Sequence, residues 1–402
     1  MQEIHIDNSN AVKEIYLDNA ATTPMAPEVL AEMMDKMANV YGNASTLYGL
    51  GRQAHTVMEN SRQVIANSIN AASDEEIIFT SGGSEGDNTA ITQTALARQS
   101  LGKHIITTAI EHEAVLKPLH ALEEQGFDVT YLPVDEHGDI SLDDFKAALR
   151  DDTILVTIMM GNNEVGSRMP IHEIGEILKD HQAWFHTDAV QTYGLLDIDV
   201  QRDHIDMLST SAHKINGPKM IGFLYKREGI NFPSLIKGGD QEEKRRAGTE
   251  NVPAIAGFAK AAELLTPEAK AEKRARFHGF KEQVVKGLTD NGVDFEINGS
   301  LGDEGENLDH VLNIWIKGIS TYVMQTNLDL AGIAVSGGSA CTAGSIEPSH
   351  VLTAMFGEKS PRIAESIRLS FGQQTTSDEI ATFVENVSAI VKRLAKNHSE
   401  VK

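Results

Sequence analysis

Ile77-Ile78-Phe79-Thr80-Ser81-Gly82-Gly83-Ser84-Glu85-Gly86-Asp87 is a short apolar run that breaks on glycines and passes into a helical pattern ending near Gly102. β-Branched and aromatic residues followed by a Gly-rich turn mark a strand that feeds a helix. Similar units recur as far as Tyr225. Apolar runs at His104–Thr108, Val129–Leu132, Thr153–Met159, Trp184–Thr187, Met207–Thr210 and Ile221–Tyr225 are mostly separated by amphipathic segments, such as Asp143–Leu149 behind Ser141 as N-cap. This alternation predicts an α/β fold with a mostly parallel, seven-stranded sheet covered on both faces. In such folds ligands bind beyond the carboxyl ends of the strands.

A helical stretch rich in both charges, Pro267 to Lys286, follows the sheet region. A domain boundary is expected near its start, giving a large domain over 24–266 and a smaller α+β domain over 267–402 joined by the segment 1–23. The last helix is announced by Thr376-x-x-Glu379, a capping box. Ile380, Phe383, Val384, Val387, Ile390, Val391 and Leu394 then form one apolar face, which is expected to be core.

The chain has 402 residues, 41% hydrophobic and 23% charged, with a net charge of -23. That balance disfavours direct binding to nucleic acid or to an anionic membrane. One cysteine excludes an intrachain disulfide, and no run approaches the length of a membrane span. Met1 to Glu14 is polar, without the apolar centre of a signal peptide. A soluble cytoplasmic protein is expected.

Several candidate site residues fall at strand ends. Gly83 and Ser84, at a helix start, present N–H groups of the kind that cradle a phosphate, although Gly-rich turns also serve packing. The pattern is neither Gly-x-Gly-x-x-Gly nor a Walker loop. Asp188, closing Trp184-Phe185-His186-Thr187-Asp188, is suited to a protonated pyridine nitrogen or to capping a helix. Lys214, in Ser209-Thr210-Ser211-Ala212-His213-Lys214, has the setting of a Schiff-base lysine, or is one more solvated surface amine. His112, in Glu111-His112-Glu113, could stack on a ring or move protons. Asn162-Asn163 follows the Thr153–Met159 run, and Arg368 is the two-pronged type of residue that takes a carboxylate. No zinc-like spacing of His, Cys and carboxylates is present. Cys341 lies in Ser336-Gly337-Gly338-Ser339-Ala340-Cys341-Thr342-Ala343-Gly344-Ser345, a small-residue loop suited to an accessible nucleophile.

Taken together these motifs resemble the NifS/IscS-type cysteine desulfurases, pyridoxal-phosphate enzymes of fold type I in the class V aminotransferase family. The similarity runs from Tyr16-Leu17-Asp18-Asn19-Ala20-Ala21-Thr22-Thr23-Pro24 to near Gly372. Ser339-Ala340-Cys341-Thr342, followed by Glu347-Pro348-Ser349-His350, is its most specific part. The resemblance implies that Lys214 carries the cofactor pyridoxal 5'-phosphate, Asp188 pairs with its ring nitrogen, Gln191 meets its phenolate oxygen and His112 stacks on it. It implies that Gly83, Ser84, Ser211 and His213 hold the phosphate, with Thr249 reaching in from the other subunit of a homodimer. Asn163 and Arg368 would hold the carboxylate of the substrate, L-cysteine. Cys341 would accept its sulfur as a persulfide, leaving L-alanine. With no second cysteine, the sulfur would pass to an acceptor protein or a reductant.

The chain departs from the family pattern in four places. Gly83-Ser84 stands where Ala-Thr is frequent, and the hydroxyl is kept. Gly238-Gly239-Asp240-Gln241-Glu242-Glu243-Lys244-Arg245-Arg246 is more charged than usual. About ten residues precede the family start. The end at Lys402 lacks the tail with which iron–sulfur-type relatives engage their scaffold, so tRNA thiolation and iron–sulfur assembly are equally open as destinations for the sulfur. Any tRNA would be handled by the partner. A selenocysteine lyase, an aminotransferase and a catalytically idle partner-binding scaffold are the competing readings.

Overall fold

The structure, a computed structural model, describes residues 14–337 and 348–400. Its first half contains β1 (Ile15–Tyr16), α1 (Pro27–Asn39), α2 (Gly49–Ser68), β2 (Ile77–Thr80), α3 (Gly83–Arg98), β3 (His104–Thr108), α4 (Glu113–Glu123), β4 (Asp128–Leu132), α5 (Leu142–Ala148) and β5 (Thr153–Thr157). Then come α6 (Ile171–Leu178), β6 (Trp184–Asp188), β7 (Met207–Ser209), β8 (Gly222–Lys226), α7 (Val252–Glu263) and α8 (Pro267–Asp290). The remainder holds β9 (Phe295–Asn298), β10 (Val311–Ile316), α9 (Thr321–Leu330), β11 (Ile333–Ala334), α10 (His350–Phe356), α11 (Arg362–Glu365), β12 (Ser366–Ser370) and α12 (Ser377–Glu400).

All seven expected runs form one sheet, in the order β2-β8-β7-β6-β5-β3-β4. β4, β3, β5, β6 and β7 are mutually parallel, and β8 lies antiparallel between β7 and β2. Apart from the edge strand β4, which is half-buried, the strands are buried on both faces, which is why they read as continuous apolar runs. On one face Ile105, Leu155, Met207 and Leu224 pack with Ile91 and Ala95 of α3 and Leu119 of α4. On the other, Ile106, Val156, Phe185, Leu208 and Phe223 meet Ile65, Ile174 and Phe258 of α2, α6 and α7. The expected Thr153–Met159 strand is regular only to Thr157: beyond it Ile158 and Met160 still donate to β6 at 3.1 and 2.8 Å, while the Met159 N–H turns to the Glu111 carboxylate at 2.9 and 3.0 Å.

A three-stranded antiparallel sheet, β12-β10-β9, follows. α8 and α12 pack together beside it, and Phe383, Val387 and Ile380 of α12 are fully buried. The capping box of α12 is formed: the Thr376 N–H donates to Glu379 and the Glu379 N–H to the Thr376 hydroxyl, at 3.0 and 3.3 Å. Residues 17–26 run as a strap from β1 across to the loop after β7. The Leu17 carbonyl accepts from Ser370 N at 2.7 Å, and Thr23 N donates to the His213 carbonyl at 2.9 Å.

The charged loop 238–251 is tied to the sheet by a buried ion pair. Arg62 of α2 meets both carboxylate oxygens of Glu242 at 2.8 Å, and Phe79 N donates to the same carboxylate at 3.0 Å. This pair holds Glu242, Glu243 and Lys244 at φ of 48, 54 and 67°, a left-handed run that costs about 1–2 kcal/mol per residue. Arg246 then reaches Glu85 in the first turn of α3 at 2.9 and 3.1 Å. Glu242→Ala removes the two-pronged partner of the buried guanidinium, leaving it only the half-exposed Glu59 at 3.3 Å and the Ile77 carbonyl at 2.8 Å, and should destabilise the chain by about 3 kcal/mol in denaturant unfolding. A loss within experimental error would show that the pair does not hold this loop.

Candidate active site

The carboxyl ends of β3, β5, β6 and β7 lie along one edge of the large sheet, with the start of α3 beside them. A cavity of about 290 Å³ opens there, lined by Gly83, Ser84, His112, Asn163, Asp188, Gln191, Ser211, His213, Lys214 and Arg368. These are ten of the twelve residues that the sequence singles out. Thr249 is exposed in the loop 238–251 and is not part of the lining. Cys341 lies outside the described residues.

Local chemistry explains each placement. Gly82 takes φ of 149°, open to glycine, and no side chain caps α3, so its first N–H groups face the cavity. A Cβ on Gly83 would stand 2.6 Å from Val190 Cγ2, and one on Gly222 would stand 2.4 Å from the Thr210 carbonyl. Both close approaches bring the start of α3 against the turns after β6 and β7. His112 is the N-cap of α4, its Nδ1 accepting from Ala114 N at 3.1 Å, which leaves the proton of the neutral ring on Nε2. Lys214 Nζ donates to the Ala20 and Ala21 carbonyls of the strap at 2.5 and 2.7 Å. Gln191 is held from both ends. Its Nε2 donates to Ala20 O at 3.0 Å, and its Oε1 lies 2.9 Å from Nε2 of the buried His310. Burial pushes the His310 imidazole down to about 3, so the ring is neutral and Nε2 donates to the amide oxygen.

Three buried carboxyls, two of them absent from the sequence-based set, sit under the cavity. Asp188 accepts from Val190 N at 2.8 Å, and burial raises its pKa while His112, when protonated, and the Lys214 charge lower it. Asp87 of α3 is pushed well above its ordinary value by burial and by the Asp188 charge. Its Oδ1 is buried without a hydrogen-bond partner, 3.6 Å from His186 Nε2. Burial pushes His186 down to about 3, so this imidazole is neutral and supplies no counter-charge. Glu111 accepts from Met159 N and the Thr108 hydroxyl, yet burial still carries it up to about 8. His350, at the start of α10, lines the mouth of the cavity and binds the Glu111 carbonyl at 2.8 Å through Nε2.

Residues 15–383 match the Aminotransferase class-V family. The IscS 1 protein of Bacillus subtilis (strain 168) is 54% identical over 383 residues, 95% of this chain and 100% of that protein. The cysteine desulfurase IscS of Methanosarcina thermophila is 45% identical, over 95% of this chain and 93% of its own length. A solved structure, SspA in complex with cysteine, aligns with a TM-score of 0.76 at 37% identity, covering 89% of this chain and 98% of that one. The chain therefore belongs to the class V aminotransferase family, whose members are pyridoxal-phosphate enzymes of fold type I. Within that family it groups with the NifS/IscS-type cysteine desulfurases.

The residues present fit the cofactor. An uncapped helix start suits a phosphate, a buried strand-end carboxylate suits a protonated ring nitrogen, and an amine stands on the same cavity wall. Among the described residues no group of three or more His, Cys, Asp or Glu could hold a metal ion, and no helix is long and apolar enough to cross a membrane.

Glu111 makes the site's pH dependence testable. A carboxyl whose folded pKa is raised adds stability below its ordinary value of 4.5, and that contribution is lost as pH climbs to about 8. The thermal midpoint should therefore fall between about pH 5 and about pH 8 more steeply in the parent than in Glu111→Gln. Equal slopes would mean that Glu111 is ionised throughout.

Proposed function

We propose that this enzyme is a cysteine desulfurase that converts L-cysteine to L-alanine and passes the sulfur through Cys341 to an acceptor protein. One observation carries the reading: Lys214, Asp188 and Arg368 converge on one cavity at the carboxyl edge of the sheet. Bound pyridoxal phosphate supplies an electron sink for the charge that develops on the substrate α-carbon. Asp188 keeps the ring nitrogen protonated, Gln191 donates to the phenolate oxygen and His112 covers the ring face. Gly83, Ser84, Ser211 and His213 hold the phosphate. Arg368 and Asn163 orient the substrate carboxylate. Lys214 Nζ moves the α-proton.

The Cys341 thiolate attacks the substrate sulfur. The Cβ–Sγ bond breaks with its electron pair passing to the carbon fragment, which takes up protons and leaves as L-alanine. A persulfide stays on Cys341. Its proximity is supported by the chain on either side. Ser336 pairs with Arg368 through two backbone bonds, at 2.7 and 3.1 Å, and the Ser349 hydroxyl donates to Glu164 at 2.5 Å. Arg368 and Glu164 both line the cavity.

The reading includes a homodimer. Leu30, Met34 and Met37 share one face of α1 and are exposed, as are Tyr41, Leu47 and Tyr48 just beyond it. A surface of this kind calls for a partner. A second copy seated on it would give Thr249 a cofactor to reach. The acceptor serves tRNA thiolation or iron–sulfur assembly, and the net charge of -23 favours contact with a protein over contact with nucleic acid. The setting proposed is the cytoplasm.

Two results are expected. After L-cysteine without reductant, intact mass should show a gain of one sulfur atom that maps to Cys341; a gain elsewhere, or none, would overturn the route. In sedimentation the holoenzyme should run as a dimer, and Leu47→Asp with Tyr48→Asp should shift it to monomer and weaken cofactor retention. A parent that runs as a monomer would remove the role given to Thr249.

A further inference from the structure

Among the described residues Arg368 is the largest side chain with under 2% of its surface exposed. Its backbone is fixed on both sides, by Asn313 of β10 and by the Ser336 bridge. The guanidinium offers five N–H donors. One on Nη1 reaches the Asn163 carbonyl at 3.0 Å, and one on Nη2 reaches Asp18 Oδ1 at 2.7 Å. Nε is buried and has no partner. A buried donor left unmet costs about 1–3 kcal/mol, and a charged one lies at the upper end. The guanidinium is thus gripped by Asn163 and Asp18 through one hydrogen on each Nη, and the residue lines the cavity with the second hydrogens not taken up by those bonds.

Asp18 is the acidic half of that grip. It stands outside the cavity lining, so a ligand in the cavity meets Arg368 and not Asp18. Its backbone is fixed by the strand that carries Arg368. Asp18 forms a parallel bridge with Ser370, and Asn19 N donates to the Ser370 carbonyl at 3.2 Å. The Tyr16 hydroxyl lies 2.9 Å from the Asp18 carbonyl and from that of Thr22, which closes the turn. The carboxylate and the guanidinium are therefore set relative to each other by one short piece of sheet.

We propose that Asp18 is a positioning residue: it fixes the orientation of the Arg368 guanidinium and so presents the remaining donors to the carboxylate of an amino-acid substrate. The proposal rests on the reading that Arg368 takes that carboxylate. Its energetic signature follows from chemistry. L-Cysteine and L-alanine carry the same carboxylate, and that group does not react. Interactions with it are uniform along the reaction and set KM and product affinity rather than kcat. Losing the orientation of a charged hydrogen bond is worth a factor of about ten or more.

The test uses the cofactor-loaded enzyme, with L-alanine as a non-reacting probe of the carboxylate site, read by the change in cofactor absorbance. Asp18→Ala should raise KM for L-cysteine and the L-alanine dissociation constant by the same factor, about tenfold. The kcat should stay within about threefold. Asp18→Asn keeps an oxygen facing Nη2 and should recover most of both. Unchanged KM and L-alanine affinity in Asp18→Ala would overturn the proposal, as would an equal loss in Asp18→Asn, which points to charge without position. Loss of cofactor retention at unchanged KM would mean a structural role only, and would also overturn it. Arg368→Lys separates the two levels. If it leaves L-alanine affinity intact, the carboxylate reading itself fails. If it weakens that affinity while Asp18→Ala does not, only the role of Asp18 fails.

Discussion

A buried carboxylate at the end of β6 governs the rest of the site. Asp188 sits in low-dielectric surroundings beside Asp87 and Glu111, and its charge raises the cost of ionising both of them. Three neighbouring carboxyls cannot all be charged there. Asp87 and Glu111 retain protons to higher pH, whereas Asp188 has the fields of His112 and Lys214 and the Val190 N–H to favour its anion. That leaves one strand-end anion facing the cavity, which a protonated ring nitrogen would complete.

The strap of residues 17–26 distributes this arrangement over the molecule. It takes the Lys214 amine on the Ala20 and Ala21 carbonyls, the Gln191 amide on Ala20, and Arg368 on Asp18. The Ala20 N–H in turn donates to the Ser370 hydroxyl at 2.7 Å. The lysine after β7 and the arginine on β12 are thereby held to a common backbone, although the two strands belong to different sheets.

The sheet was legible because most of its strands are buried on both faces and most are separated by helices, so each shows as an apolar run closed by turn residues. Boundaries moved where a backbone group left the ladder, as Met159 does for Glu111. Strand-end residues such as Lys214, Asp188 and His112 could be found because strand ends can be read. Asp87, Glu111, His310 and Asp18 could not. Asp87 and Glu111 lie inside quoted motifs, but their burial near Asp188 brings together positions 101 and 77 apart in the chain. Asp18 meets Arg368 across 350 positions, and no local pattern announces such a pair. The antiparallel insertion of β8 between β7 and β2 was likewise invisible, since an apolar run carries no direction.

The most direct test of the account is L-alanine release from L-cysteine, in the presence of a thiol reductant, by the parent and by Cys341→Ala, with cofactor colour recorded for both. With sulfur passing through Cys341, the parent releases alanine, and the variant keeps its yellow colour and releases none. Equal release by both, or none by either at full colour, would contradict it.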